Sequence, residues 1–296
     1  MSLRLEMLQV ARLAPSLLGG EASQLVHGFL LRKQNPDGGF QDREGESDLY
    51  YTSFAIDALT ALQEALPEKT LIPFLERKLS KPDDLDFVHL CCLARCLSAL
   101  PSMTGAFSLN SLFSRIENLY RSQDGGYNQS PHSAGGSAYA CLLAWGAYSD
   151  HGLMPPDPDG MTRCIQSLQS PGGAWANDAD LPVPNLPATA AAISVCRNFS
   201  IPISRETGPW ILKNFHDAGG FVPFPGAPVP DLLSTAVALH ALDGLQNSFE
   251  DKKEKLLDFV DSLWTAEGGF HGSWDDDTLD IEYTYYGLLA LGHLAL

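Results

Sequence analysis

The chain has 296 residues, of which 45% are apolar, and its formal net charge is −17. The apolar content is sufficient for a large core and argues against disorder, while the acidic charge argues against a nucleic-acid partner and an anionic membrane surface. A length of this order exceeds most single domains but is usual for repeat architectures.

The first residues give no sign of a targeting or membrane segment. Charges at Arg4, Glu6 and Arg12 interrupt the apolar run that a signal peptide needs. No run reaches the roughly 18 apolar residues of a membrane-spanning helix. We therefore expect a cytoplasmic protein that is not integral to a membrane. The six cysteines lack metal-site spacing, which predicts buried free thiols.

A glycine pair followed by an aromatic residue or alanine recurs along the chain. Each pair precedes a short loop and then an apolar, alanine-rich segment, and glycine suits such turns because positive φ costs it little. The five occurrences are Gly38-Gly39-Phe40, Gly125-Gly126-Tyr127, Gly172-Gly173-Ala174, Gly219-Gly220-Phe221 and Gly268-Gly269-Phe270.

Six apolar segments follow the same local pattern and predict six buried helices. Each begins with Asp, Ser or Asn, the residues preferred as helix N-caps, and five have Thr or Ser four residues later, with Leu90 as the exception. The segment at Asp86 lacks the glycine pair. The predicted starts are Asp48, Asp86, Ser133, Asn185, Asp231 and Asp280.

Amphipathic stretches lie between these segments and predict helices with one solvated face. They include LIPFLERKL, SLFSRIENLYRSQ, MTRCIQSLQS and KKEKLLDFVDSLW. Six buried helices alternating with six amphipathic ones predict an all-α fold, an (α/α)6 toroid with six inner and six outer helices in a single domain over residues 1–296. Closure of the ring would place the sixth unit beside the first.

Two segments resemble protein prenyltransferase β subunits and squalene-hopene-type terpenoid cyclases. They are GGFQDREGESDLYYTSFAIDAL from Gly38 and DIEYTYYGLLAL from Asp280, within a resemblance that covers roughly residues 25–296. The resemblance implies an isoprenoid or other apolar small molecule in a central apolar cavity. It also implies a possible helical partner subunit.

The zinc ligands of the resembled prenyltransferases are altered here. Asp280, Glu282 and Tyr51 stand at the comparable positions, so a carboxylate replaces the thiolate and a phenol replaces the imidazole. Zinc favours thiolate and imidazole ligands, and we therefore expect no zinc. Asp48 and His89 match the ligand types in a second trio, but Tyr50 occupies its cysteine position.

The loop from His271 to Asp280 has no Lys or Arg and contains Asp275, Asp276 and Asp277. Such a loop would repel a diphosphate. Mg²⁺ held by this acidic cluster could offset the repulsion, but a solvated loop is the simpler interpretation, and we expect no cofactor.

The resemblance to cyclases suggests a different use of the same positions. Their acidic motif falls on Asp280, Glu282, Tyr283 and Thr284, with Glu282 in the place of the acid that protonates an alkene or epoxide. A second carboxylate and an apolar cavity favour a protonated carboxyl group. The predicted catalytic residues are Asp280, Glu282 and Tyr51, and the predicted substrate-binding residues are Asp48, Tyr50, His89, Trp274, Tyr283 and Tyr285.

Other interpretations remain open at this stage. Asp280 is also explained as a helix cap alone, and the aromatic residues as core filling. The whole chain is also consistent with a non-catalytic toroid that binds a lipid or a partner protein. A sugar-binding or sugar-cleaving α/α toroid is a third possibility.

Overall fold

Long buried helices alternate with amphipathic helices through the chain, as the repeat predicts. The structure is a computed structural model that describes residues 2–100 and 109–296. In chain order the helices are α1 (Leu3–Ala11), α2 (Pro15–Arg32), α3 (Leu49–Ala61), α4 (Glu68–Leu79), α5 (Phe87–Ser98), α6 (Asn110–Arg115), α7 (Ala138–Asp150), α8 (Pro158–Ser167), α9 (Leu186–Asn198), α10 (Thr207–Leu212), α11 (Leu232–Gly244), α12 (Lys253–Leu263) and α13 (Ile281–Leu294).

Short strands and turns connect these helices. Strand β1 (Phe40–Gln41) pairs antiparallel with β2 (Ser47–Asp48), and β3 (Phe270–His271) pairs antiparallel with β4 (Leu279–Asp280). A π-helical turn, Ile116–Tyr120, continues α6, and 3₁₀ turns cover Pro82–Asp84 and Glu250–Lys252. Within the described residues, no helix combines the length and apolarity needed to cross a bilayer.

Two compact units divide the chain. The first contains the described residues of Met1–Arg4, Pro36–Gly39 and Pro67–Ser204, and the second contains Leu5–Asn35, Phe40–Leu66 and Arg205–Leu296. In the first unit α7 packs against α5 and α9, and in the second α13 packs against α11 and α3. The sixth repeat therefore neighbours the first, as predicted. The single-domain assignment stays a prediction.

The predicted caps are confirmed for five of the six buried helices. Asp48, Asp86, Asn185, Asp231 and Asp280 each accept a hydrogen bond from the backbone N–H three residues later. This bond satisfies one of the amides left unpaired at a helix start. The six cysteines are buried and free, also as predicted.

The predicted start at Ser133 was wrong. Helix α7 begins at Ala138, and its cap is Ser137, whose side chain accepts from Ala140 N–H. Gly135 and Gly136 lie before the cap in this repeat, where glycine fits a loop better than a helical turn. Ser133 instead belongs to this loop, where its carbonyl accepts from Gln123 N–H.

One glycine pair was also misaligned by a residue. The glycine with positive φ is Gly173, at 83°, which matches Gly38 at 97° in the first repeat. Trp175 then occupies the place of Phe40, since it pairs with Gln169 as Phe40 pairs with Gln34. Ala174 therefore takes the second glycine's position.

The threonine four residues after the cap ties each hairpin to its helix. In four repeats its buried hydroxyl donates to the cap carbonyl and accepts from the backbone N–H of the preceding aromatic residue. The aromatic N to threonine Oγ1 distances are 3.0 Å for Phe40 and Thr52, 3.0 Å for Trp175 and Thr189, 2.9 Å for Phe221 and Thr235, and 3.4 Å for Phe270 and Thr284. One hydroxyl thus satisfies two buried backbone groups.

Candidate active site

The candidate site lies where α3 and α13 begin side by side in the second unit. Each helix follows a two-stranded hairpin and starts at a capping aspartate, Asp48 for α3 and Asp280 for α13. Because α3 packs against α13, the first turns of the two helices bring Tyr50 and Glu282 within bonding distance. Local capping and repeat packing together therefore assemble this site.

Asp280 is a buried carboxylate with a partner for each oxygen. Its side chain is 3% exposed, Oδ1 accepts from Tyr283 N–H at 2.8 Å, and Oδ2 accepts from Arg43 Nε at 2.7 Å. Burial raises the pKa of Asp280 above its ordinary value, although both hydrogen bonds oppose the rise. Asp280 thus caps α13 and also bonds a cation from the first repeat.

Arg43 connects the two hairpins and was not identified from the sequence. It lies in the exposed turn between β1 and β2, donates from Nη2 to Asp276 at 2.8 Å, and stands 5.4 Å from the centroid of the Tyr283 ring. Its only signal in the sequence was its place in the resembled segment GGFQDREGESDLYYTSFAIDAL from Gly38. Spacing alone could not show that the guanidinium reaches residues more than 230 positions later.

Glu282 is the second residue of α13 and bonds to the neighbouring helix. The hydroxyl of Tyr50 donates to Glu282 Oε1 at 2.7 Å. Burial raises the pKa of Glu282 to about 7, with a further rise from the charge of Asp280, while Tyr50 and Arg43 oppose it. A carboxyl group with a pKa near neutrality can both hold and release a proton under ordinary conditions.

A chain of aromatic contacts begins at Tyr50. The ring centroids of Tyr50 and Phe54 are 4.9 Å apart, and Phe54 lies 5.5 Å from both Tyr285 and Tyr286. Burial, and then the charges of Asp280 and Glu282, raise the pKa of Tyr51 to about 12, so its phenol stays protonated. The faces of such rings attract a cation.

The remaining predicted residues have other local environments. Asp48 caps α3 by accepting from Tyr51 N–H. Trp274 is 43% exposed, and its Nε1 donates to Ser262 on α12 at 2.9 Å. His89 belongs to the first unit, where its Nδ1 lies 2.9 Å from Asp86 Oδ1. The structure thus joins Asp280, Glu282, Tyr50, Tyr51 and Tyr283 in one cluster.

The donor set of this cluster suits zinc poorly. Both oxygens of Asp280 have partners, and Tyr51 retains its proton at neutral pH. Structural and catalytic zinc sites use three or four deprotonated S, N or O ligands. In residues 2–100 and 109–296, no three His, Cys, Asp or Glu side chains form a group that could hold a metal ion. Independence from zinc stays a prediction.

The fold and its repeats define a class of all-α toroid proteins. The model of the prenyltransferase alpha-alpha toroid domain matches residues 21–89 and 189–295, more than half of the chain. The chain therefore belongs to the prenyltransferase α/α toroid domain family, which confirms the predicted fold and the resemblance. No curated protein matches the chain in sequence.

Solved structures of similar fold include two that hold different molecules. A type II terpene cyclase from Scytonema, in complex with the substrate geranylgeranyl dihydroxybenzoate, is 12% identical with a TM-score of 0.62, over 97% of both chains. A protein from Actinoplanes is 15% identical with a TM-score of 0.66, over 93% of this chain and 99% of its own. An α-1,6-mannanase of Salegentibacter, in complex with α-1,6-mannotriose, is 12% identical with a TM-score of 0.56, over 93% and 98%. At these identities the likeness shows the fold.

Proposed function

We propose that this protein is an acid catalyst that protonates and cyclises a neutral isoprenoid. The supporting observation is the bond between Tyr50 and Glu282 beside the buried Asp280, which presents one carboxyl group with a pKa near neutrality among aromatic faces. Membership of the toroid family, and the terpene substrate of the Scytonema cyclase, support an isoprenoid substrate.

Glu282 is the proton donor in this proposal. Tyr50 occupies Oε1, so the proton is carried on Oε2 and passes to a terminal alkene carbon or an epoxide oxygen of the substrate. The alkene π pair forms the new C–H bond and leaves a tertiary carbocation, which the next double bond of the chain attacks. Loss of a proton from the final cation gives a neutral product, and a proton from solvent restores Glu282.

The other residues of the cluster position Glu282 and stabilise the carbocation. Tyr50 is a positioning residue, because it fixes the rotamer of Glu282. The ring of Tyr286, which is half-buried, stabilises the cation as it forms. Arg43 fixes Asp280 and opposes the rise in the pKa of Asp280 that burial causes, and Glu282 is the carboxyl group that holds the mobile proton.

The surrounding charge favours a neutral substrate over a diphosphate. Arg43 is already shared between Asp276 and Asp280, and Asp275 and Asp277 beside it are exposed. A diphosphate would meet these carboxylates without a free cation in the hairpin turns to offset them. The proposed chemistry needs neither zinc nor Mg²⁺.

The test is product formation from neutral acyclic isoprenoids. Squalene, oxidosqualene and geranylgeraniol would be incubated with the protein, and products followed by gas chromatography and mass spectrometry. We expect at least one of these substrates to be cyclised. The rate of cyclisation should be at least about 100-fold lower in Glu282→Gln, the usual size of a general-acid contribution. Glu44→Gln, an exposed carboxylate of the neighbouring turn, is the matched control and should be unaffected.

Three results would contradict the proposal. Full turnover by Glu282→Gln would remove Glu282 from the acid role. An isoprenoid that co-purifies unchanged, with no turnover, would indicate the non-catalytic lipid-binding toroid. Hydrolysis of α-1,6-mannotriose without isoprenoid conversion would favour the sugar-cleaving class instead.

A further inference from the structure

A second concave surface lies on the second unit, between α2 and α12. It has a volume of about 350 Å³ and is lined mainly by apolar residues. Leu17, Leu18 and Ala22 of α2 form one wall, and Leu257 of α12 with Trp264, the residue directly after that helix, forms the other. Val260, Phe270 and Leu291 complete the lining. We refer to this surface as the α2–α12 groove.

The local sequence explains why the groove is open. Helix α2 is interrupted at Gly19, whose φ of 76° and ψ of 170° are not helical. A side chain added at Gly19 or Gly20 would meet nothing within 4 Å. Leu17, two residues before this interruption, lines the groove and is 44% exposed.

Leu17 is the exposed leucine of the lining, whereas Val260, Phe270 and Leu291 form a buried floor. A single exposed apolar residue needs no explanation, but Leu17 stands at the edge of a concave surface with an apolar floor, the form that a binding groove takes. Leu257 and Asp261 of α12 stand four positions apart in the groove lining, the spacing with which a helix presents neighbouring side chains, and Trp264 follows directly after the helix.

The charge at the rim indicates the chemistry of the occupant. Asp258 and Asp261 are the charged residues that line the groove, and both are exposed. Glu21 lies beside Ala22 and is also exposed. A second copy of this chain, with a net charge of −17, would meet like charge at this rim.

From this combination the geometry points to a basic amphipathic helix of a partner protein as the occupant of the α2–α12 groove. Its apolar anchors at i, i+3 or i+4, and i+7 enter between α2 and α12, and its Lys or Arg residues pair with Asp258 and Asp261. The groove does not include any residue of the candidate active site, so the interaction is independent of the proposed catalysis.

A synthetic peptide tests this proposal directly. The probe is an 18-residue helix with leucines at i, i+3, i+4 and i+7 and lysines elsewhere, and its counterpart replaces every lysine by glutamate. Binding is followed by titration calorimetry on the full chain and by Trp264 fluorescence, which should shift to shorter wavelength as the half-exposed indole is covered. Trp264→Phe assigns that signal.

We expect the lysine peptide to bind and the glutamate peptide not to bind. Leu17→Ser and the pair Asp258→Asn with Asp261→Asn should each weaken binding about five- to tenfold, the size expected for one exposed apolar anchor or two rim ion pairs. Leu181→Ser and Asp159→Asn, which change an exposed leucine and an exposed aspartate outside the groove lining, are the matched controls.

Several outcomes would overturn the inference. Equal binding of both peptides, or binding unaffected by the groove variants, would show that the groove does not recognise a basic helix. A dimer in sedimentation equilibrium that Leu17→Ser disrupts would assign the groove to a second copy. Leu17 and the two aspartates are exposed, so their variants should fold, and circular dichroism would verify this.

Discussion

Replacing Glu282 with glutamine should change how stability depends on pH. In the folded protein the pKa of Glu282 is about 7 against an ordinary value of 4.5. Between these values the folded state holds a proton that the unfolded chain has released, so stability falls as the pH rises through this window. Glutamine has no proton to lose and still offers an oxygen to Tyr50.

The size of the effect follows from the two pKa values. From pH 5 to pH 8 the free energy of unfolding of the wild-type chain should fall by about 2.5 kcal/mol relative to that of Glu282→Gln. With an unfolding entropy of about 2.1 cal/mol/K for each residue, this corresponds to a Tm difference of about 4 °C for a chain of this length. Any fixed cost of the substitution cancels in the comparison between the two pH values.

Calorimetric Tm measurements on both proteins from pH 5 to pH 8 are the assay. Glu46→Gln, an exposed carboxylate in the turn between β1 and β2, controls for loss of a surface charge and should track the wild type. If the Tm difference between wild type and Glu282→Gln were the same at pH 5 and pH 8, Glu282 would titrate normally. The reasoning from its burial and from Asp280 would then be refuted.

Two further predictions concern the repeat and the far ends of α11 and α13. Thr235→Val removes the hydroxyl that accepts from Phe221 N–H at 2.9 Å. Leaving that buried amide unpaired should lower the free energy of unfolding by about 1–3 kcal/mol. The control Thr60→Val loses only a bond to Ile56 within its helix and should cost less than about 1 kcal/mol, so equal costs for the two variants would count against the role of Thr235 in tying the hairpin to its helix. His293 is 1% exposed, its Nε2 lies 3.1 Å from His240 Nδ1, and burial followed by the charge of His240 lowers the pKa of His293 to about 3. As the pH falls, the unfolded chain binds this proton before the folded chain does, so the free energy of unfolding should fall by about 2 kcal/mol from pH 7 to pH 5. Asp243 lies 3.9 Å from His293 Nδ1 but does not reverse this direction. Calorimetry on His293→Gln should show that this pH dependence is lost, and an unchanged dependence would show that other groups cause it.

The fold was largely predictable because its signals are local. A cap such as Asp231 and the threonine four residues later stand within one helical turn, so a single sequence displays both. The error at Ser133 has a local cause as well, since Ser133 and Ser137 both fit the cap pattern four residues apart. Only the position of the glycine pair relative to the helix, seen in the structure, separates the two.

The site was predictable only in part. Asp280 and Glu282 belong to one helical turn, and their pairing with the first repeat followed from ring closure. The partner that bonds Glu282 was not predictable, because the sequence favoured Tyr51 whereas the bond comes from Tyr50. Arg43 was missed for a similar reason, since an exposed turn residue gives no sign of the direction of its side chain.

The repeat geometry itself explains why a polar cluster forms at this junction. Tyr50 and Glu282 each stand two residues after their helix cap, at equivalent positions of adjacent repeats, and they bond to each other. The corresponding positions of the other four buried helices are Val88, Tyr139, Pro187 and Leu233. Glu282 is therefore the one charged residue at this position, and Arg43 reaches toward the same helix from the neighbouring hairpin. Core packing would be served by an apolar residue at position 282, since burying a carboxyl group costs free energy. Only one of the six repeats buries a carboxyl group at this position, at a cost in stability. A functional role for this junction explains why that carboxyl group is present.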